Sequence, residues 1–189
     1  MDKNTIKLGL FLMLVAALAA LALASINNLT SPIIAANEKA AMDASMSEVY
    51  NQADSFVDIF EDYDTSSTPS IVGLQSARSN GNPAGVIYIV ESKGYGGIIR
   101  IMVAFDIKER VITGVRILSQ TETPGLGANA IQPWFTERFD NAATDKELIV
   151  VKTESSLNHE IQAITAATIT SKAVTAGIND ARSHFAEIF

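Results

Sequence analysis

A chain of 189 residues, 48% of them hydrophobic, has material for one folded domain and a terminal appendage, and is too apolar to be disordered throughout. Its net charge of −7, with 14 scattered Lys and Arg against 21 Asp and Glu, argues against a nucleic-acid partner, which needs clustered cations. It has no cysteine, so disulfides, thiolate metal sites, Cys-ligated iron–sulfur clusters and Cys nucleophiles are excluded, and redox chemistry must come from an organic cofactor or a partner subunit.

The N-terminal stretch carries Lys3 and Lys7 and then no charge until Glu38. Its apolar run, Leu8 to Ile26, is long enough at about 1.5 Å per residue to cross the hydrocarbon of a bilayer, roughly 28 Å. Ala22-Leu23-Ala24 ahead of Ser25 also reads as a signal-peptide cleavage site. The run exceeds the ~7–15 apolar residues of a usual signal peptide, which favours a retained anchor. Both Lys3 and Lys7 precede the run and the next basic residue is Lys39, so the positive-inside rule puts residues 1–7 in the cytoplasm. Residues 8–27 then span the cell membrane and the main domain lies outside it.

Residues 28–70 read as a juxtamembrane helical region. Pro32 suits a first turn, and the Ala-, Glu- and Met-rich sequence from Ser31 to Tyr63 favours helix, continuing from the membrane across a break near Asn27-Asn28. The stretches 61–70 and 78–85 are turn-rich punctuation.

Residues 71–189 form the remaining domain. Strands are expected at 85–92, 98–107, 111–119 and 147–152, with a hairpin turn at Lys108–Arg110. In the second strand Ile99, Ile101, Val103 and Phe105 alternate with Arg100, Met102 and Asp106. Residues 129–139 suggest a short helix holding the one tryptophan, Trp134. Val174, Ile178, Ala181, Phe185 and Ile188 recur at helical spacing to the end of the chain. The expected fold class is α+β: one N-terminal transmembrane helix, then a single extracytoplasmic domain with an antiparallel sheet and flanking helices.

The terminal helix opens in "ITAATITSKAVTAGIND", residues 164–180, which is richer in hydroxyls than a helix start needs. One of Thr168 or Thr170 suffices as N-cap. Alternatively, the free N–H groups of a helix start, with small Ala166 and Ala167 admitting a ligand to the backbone, form an anion site. The residues alone leave both readings open.

Three segments carry a resemblance. "TAATITSKAVTAGI" is similar to the flavinylation motif of the FMN-binding domain family, "SQTETPGLGANA" (119–130) to that family's Glu-Thr-x-Gly-Leu-Gly loop, and "KGYGGIIRIMVAFD" (93–106) to its Gly-Tyr-Gly-Gly strand. The resemblance implies FMN bound covalently by a phosphoester to Thr168, put there by a flavin transferase. Around it, Thr165, Ala166, Ala167, Ile169, Thr170 and Ser171 are expected to surround the phosphate. Glu122, Thr123, Gly125, Leu126 and Gly127 are expected near the flavin, with Tyr95 and Trp134 as further ring contacts. No catalytic residue and no metal ligand is expected. Two positions depart from the motif: Ala166 stands for its glycine, and Gln162 for an aspartate.

With the single span, the chain resembles G subunits of Rnf ion-translocating ferredoxin:NAD oxidoreductase complexes, or the homologous C subunits of Na⁺-translocating NADH:quinone oxidoreductase. The partners implied are the other membrane subunits of such a complex. The competing class is an anchored binding module for a non-covalent anionic ligand. His159 and His184 show no ligand spacing and read as solvated, Glu61, Asp62 and Asp64 as an exposed turn, and Trp134 on its own as core or rim.

Overall fold

The computed structural model describes residues 3–153 and 157–189 and divides the chain into two compact units, one ending at Asp43 and the other Ala44–Phe189. The first is the greater part of α1 (Lys3–Val49), a helix long and apolar enough to cross a membrane. It runs through Asn27-Asn28 without the expected break. Ser25 and Thr30 donate their hydroxyls to the carbonyls of Leu21 and Ile26, so neither is left unpaired on an apolar helix.

The second unit is built on a five-stranded antiparallel sheet in sequential order: β1 (Ser55–Asp58), β2 (Ile71–Ser79), β3 (Asn82–Lys93), β4 (Ile98–Asp106) and β5 (Ile112–Ser119). Helix α1 stops at Val49, and of the helix-friendly stretch that runs on to Tyr63 only the 3₁₀ turn Phe60–Asp62 is helical again. The β-branched and aromatic residues of Ser55–Asp58 pair instead with β2, and the Asp54 carboxylate accepts the Asn80 N–H. The β4–β5 turn needs a left-handed residue, and Arg110 takes it at φ 54°.

The sheet is covered on both faces at its centre. On one, Ile99, Ile101, Val103 and Phe105 join Tyr88 and Val90 in the main core, as their alternation predicts. The C-terminal helix α3 (Thr168–Ile188) lies here, burying Val174, Ile178, Ala181 and Phe185, with Phe185 stacked on Phe105 at 4.9 Å. On the other face Met102 and Ala104 are also buried, together with Met46 and Val49 from the end of α1 and Tyr50 just after it. Thr113 donates to the Val49 carbonyl at 2.8 Å.

His184 is not solvated: it is 4% exposed, with Nδ1 3.0 Å from the Tyr88 hydroxyl and Nε2 3.3 Å from the Asp64 carbonyl. Its helical position adjoins the core stripe, and its partner lies 96 residues away, beyond any local pattern. The expected helix at 129–139 is three short turns: a 3₁₀ turn Gly127–Ile131, α2 (Pro133–Thr136) and a 3₁₀ turn Glu137–Phe139. Gln132, ahead of a proline, is extended at φ −77°, ψ 139°, which interrupts the helix. Phe135 and Phe139 still reach the core. A small parallel pair, β6 (Ile149–Val151) and β7 (Glu160–Gln162), completes the unit.

Candidate functional site

Three segments meet at the start of α3: the β3–β4 turn at 94–97, the loop after β5 at 120–127, and the helix start itself. Between them lies a cavity of about 600 Å³, lined by Tyr95, Glu122, Thr123, Leu126 and Gly127 from the loops and by residues 166–170. That volume is within the range of small-molecule and cofactor sites.

The loop after β5 owes its shape to Pro124-Gly125. Leu126 N–H bonds to the Thr123 carbonyl at 3.1 Å and Gly125 has φ 77°, which makes a type II turn with proline and glycine at their favoured places. The turn brings Leu126 to the cavity, 41% exposed. Glu122, in contrast, is 6% exposed. Its Oε1 accepts the Gly96 N–H at 2.8 Å, and its Oε2 accepts the Thr170 hydroxyl. A Cβ on Gly94 or on Gly127 would collide with this carboxylate, so both positions are held to glycine by close approach.

The hydroxyls at the helix start have distinct fates. Ala167 is the N-cap residue, and no side chain caps the helix, so neither Thr168 nor Thr170 serves in that role. Ser171 is fully buried, accepting the Ile164 N–H at 2.9 Å and donating to the Ala167 carbonyl at 3.0 Å. Thr175 donates to the Ser171 carbonyl. Thr170 is committed to Glu122. Thr168 lines the cavity, and its hydroxyl has no hydrogen bond among the described residues. The first helical backbone bond is Ser171 N–H to Ala167 O, so the N–H groups just before it are open to a ligand.

Ala166 has φ 61°. The left-handed conformation natural to the motif's glycine is therefore kept by an alanine, at a cost on the order of 1 kcal/mol. Substitution there would be harmless only at an ordinary backbone angle, and the angle is not ordinary.

Of the other residues expected at the site, Ile169 lines the cavity and is exposed, as is Tyr95. Thr165, Gly125 and Ser171 do not line it. Trp134 does not either: its ring is half exposed beneath the Arg138 guanidinium, 5.1 Å from the ring centroid. Arg138 Nη1 in turn donates to the Gln162 carbonyl. Gly94 and Gly96 shape the site more than their place in a Gly-Tyr-Gly-Gly string suggests. No cluster of three or more His, Asp or Glu suited to a metal occurs among the described residues.

An open anion-ready helix start, an uncommitted hydroxyl and an apolar rim of Tyr95, Leu126 and Ile169 suit a phosphate-bearing ring cofactor, and residues 94–183 match the FMN-binding domain family. That match lies within the second unit and takes in the glycine turn, the loop after β5 and most of α3. Residues 1–49 match the RnfG N-terminal region. Over 94% of its length the chain is 36% identical to the G subunit of the Na⁺-translocating ferredoxin:NAD⁺ oxidoreductase complex of Acetobacterium woodii, of which it covers 89%. It is 38% identical, over 84% of its length and 80% of the relative, to the G subunit of the proton-translocating ferredoxin:NAD⁺ oxidoreductase complex of Clostridium ljungdahlii. The chain belongs to the G-subunit family of ion-translocating ferredoxin:NAD⁺ oxidoreductase complexes, which are redox enzymes. Two solved structures share the fold. They are the C subunit of the Na⁺-translocating NADH-quinone reductase of Parabacteroides distasonis (TM-score 0.51, 24% identity, 60% of this chain and 62% of that one) and the NqrC of Shewanella oneidensis (TM-score 0.52, 20% identity, 61% and 59%).

Proposed function

We propose that this chain is the membrane-anchored electron carrier of an ion-translocating ferredoxin:NAD⁺ oxidoreductase, holding FMN by a phosphoester to Thr168. The observation that carries the reading is the state of the hydroxyls. Ser171, Thr170 and Thr175 are committed to protein partners, whereas Thr168 faces the cavity with its oxygen free.

Bound FMN supplies one- and two-electron chemistry. The residues present fit it. The N–H groups at the start of α3 and the helix dipole stabilise a phosphate, and the Thr168 oxygen completes the ester. Tyr95, Leu126 and Ile169 offer apolar contact to the ring while their exposure leaves its outer edge within reach of a redox partner. The ester prevents loss of the cofactor to a medium outside the membrane. A flavin transferase makes the attachment, and the partners are the other membrane subunits of the complex. In this reading Lys3 and Lys7 hold the N-terminus in the cytoplasm, residues 8–27 span the cell membrane, and the FMN-binding domain works on the outer side.

The test is co-expression with a flavin transferase, an ultraviolet scan of a denaturing gel, and the intact mass of the chain. The expected result is a fluorescent band whose added mass equals FMN less water, absent in Thr168→Ala. Flavin that is released on denaturation would instead support a non-covalent binding module, and a colourless chain beside an active transferase would refute the carrier.

A further inference from the structure

The cavity wall holds a buried carboxyl group with no cation beside it. Among the described residues lining the cavity, Glu122 and Tyr95 are the ionisable ones, and Tyr95 is 71% exposed. Glu122 is 6% exposed, and a carboxylate so buried is costly unless it is hydrogen-bonded. Both of its oxygens are engaged, but by neutral donors: the Gly96 N–H and the Thr170 hydroxyl. Among the described residues, none of the salt bridges involves Glu122. Lys93 at the end of β3 and Lys172 in the first turn of α3 are both exposed, and Arg182, farther along α3, donates to the Thr144 carbonyl. The 3₁₀ turn Gly127–Ile131 brings no ionisable group.

We propose that Glu122 is a positioning residue whose carboxylate lowers the reduction potential of the flavin, an inference that rests on FMN occupying this cavity. Its two oxygens fasten the 94–97 turn and the first turn of α3 to the loop that bears it, which fixes the shape of the cradle. Its charge acts on whatever the cradle holds. Electrons delivered to the flavin add negative charge inside a poorly screened cavity, and a nearby carboxylate opposes that addition. The potential is therefore held low by this carboxylate.

Glu122→Gln keeps the size and hydrogen-bonding reach of the side chain and removes its charge. The full chain in detergent, flavinylated or loaded with free FMN, is titrated with dithionite and mediator dyes at neutral pH. The expected result is a positive shift in the variant equivalent to about a tenfold change in a one-electron equilibrium, about 59 mV. No shift, or a negative one, would overturn the proposal and leave Glu122 a purely structural clasp. Should that variant lose its flavin, Thr170→Val decides: it removes the hydroxyl that partly offsets the carboxylate's charge, so the potential must fall, and an unchanged potential overturns the proposal. Wild-type protein that holds no flavin, attached or added, fails the site reading and this inference with it. Flavin whose potential ignores the substitution fails this inference alone.

Discussion

The phenol of Tyr50 donates a 2.8 Å hydrogen bond to Asp106 Oδ2, joining the residue just after α1 to the end of β4. Asp106 Oδ1 accepts the N–H groups of Lys108 and Glu109 at 2.9 and 2.7 Å, so one buried carboxylate holds both a hairpin turn and the C-terminal end of a helix. Tyr50→Phe removes one hydrogen bond to a charged group and leaves the turn bonds in place. The expected loss is about 1.5–3 kcal/mol, measured as a lower thermal midpoint of the domain transition in the full chain. An unchanged midpoint would mean that the link carries no net stability.

Ser171 and Thr168 lie three positions apart and should separate cleanly on substitution. Ser171→Ala strands the N–H of Ile164, which is 3% exposed, and should cost about 1–3 kcal/mol of stability. The folded fraction of that variant should still carry FMN. Thr168→Ala should do the reverse, abolishing attachment with little effect on unfolding. Denaturant melts paired with intact masses read both properties.

Gly127→Ala tests how tightly the cradle is shaped. Its Cβ would intrude on both the Glu122 carboxylate and the Thr170 hydroxyl, the two groups that define the cavity wall. With free FMN and no transferase, the dissociation constant, read from flavin fluorescence, should rise at least about tenfold, a loss of roughly 1.4 kcal/mol in binding. An unchanged constant would show that the wall yields.

At Ala166 two effects oppose each other. Relief of the φ 61° conformation in Ala166→Gly should stabilise by about 1 kcal/mol, while the extra freedom of an unfolded glycine offsets about 0.5–1 kcal/mol of it. The net change should be small. Ala166→Val, with a β-branched side chain in the same conformation, should lower the thermal midpoint measurably, and tolerance of valine would argue that the turn relaxes.

Desolvation, and then the charge of Glu137, lift the Asp140 carboxyl from 3.8 to about 6. A raised acid favours the protonated folded state, so the stability it contributes is full below about pH 4 and is lost as pH rises through about 6. Asp140→Asn should remove that slope and stabilise the protein near neutrality. Asp140 is an exposed residue, so solvent screening limits the gain to a few tenths of a kcal/mol. Unfolding curves across mildly acid pH, wild type against variant, would show the two converging below pH 4; parallel curves would contradict the assignment.

Much of the sheet was legible because its signal is local. The alternation in 98–107 and the helical stripe from Val174 to Phe185 depend only on neighbours along the chain, and both lie buried as read. The end of α1 at Val49 was not legible, since helix-forming composition continues past it. What stops the helix is strand pairing of residues 55–58 with β2, a contact with residues 75–78 that no local window contains. The burial of His184 escaped for the same reason.

At the site, residue types and order were enough to find the Pro-Gly turn and the family to which the chain belongs, because motif spacing is a property of the chain alone. Which hydroxyls are spent and which is free was decided only by the tertiary structure. Thr170 is silenced by a carboxylate 48 positions earlier in the chain, and Glu122 gains its buried, unbalanced charge only when the glycine turn and the helix start close over it. The left-handed angle at Ala166 belongs to the same level. Hydrophobic periodicity and turn chemistry act between near neighbours in sequence, whereas hydrogen-bond commitment and desolvation are set by whatever folding brings alongside.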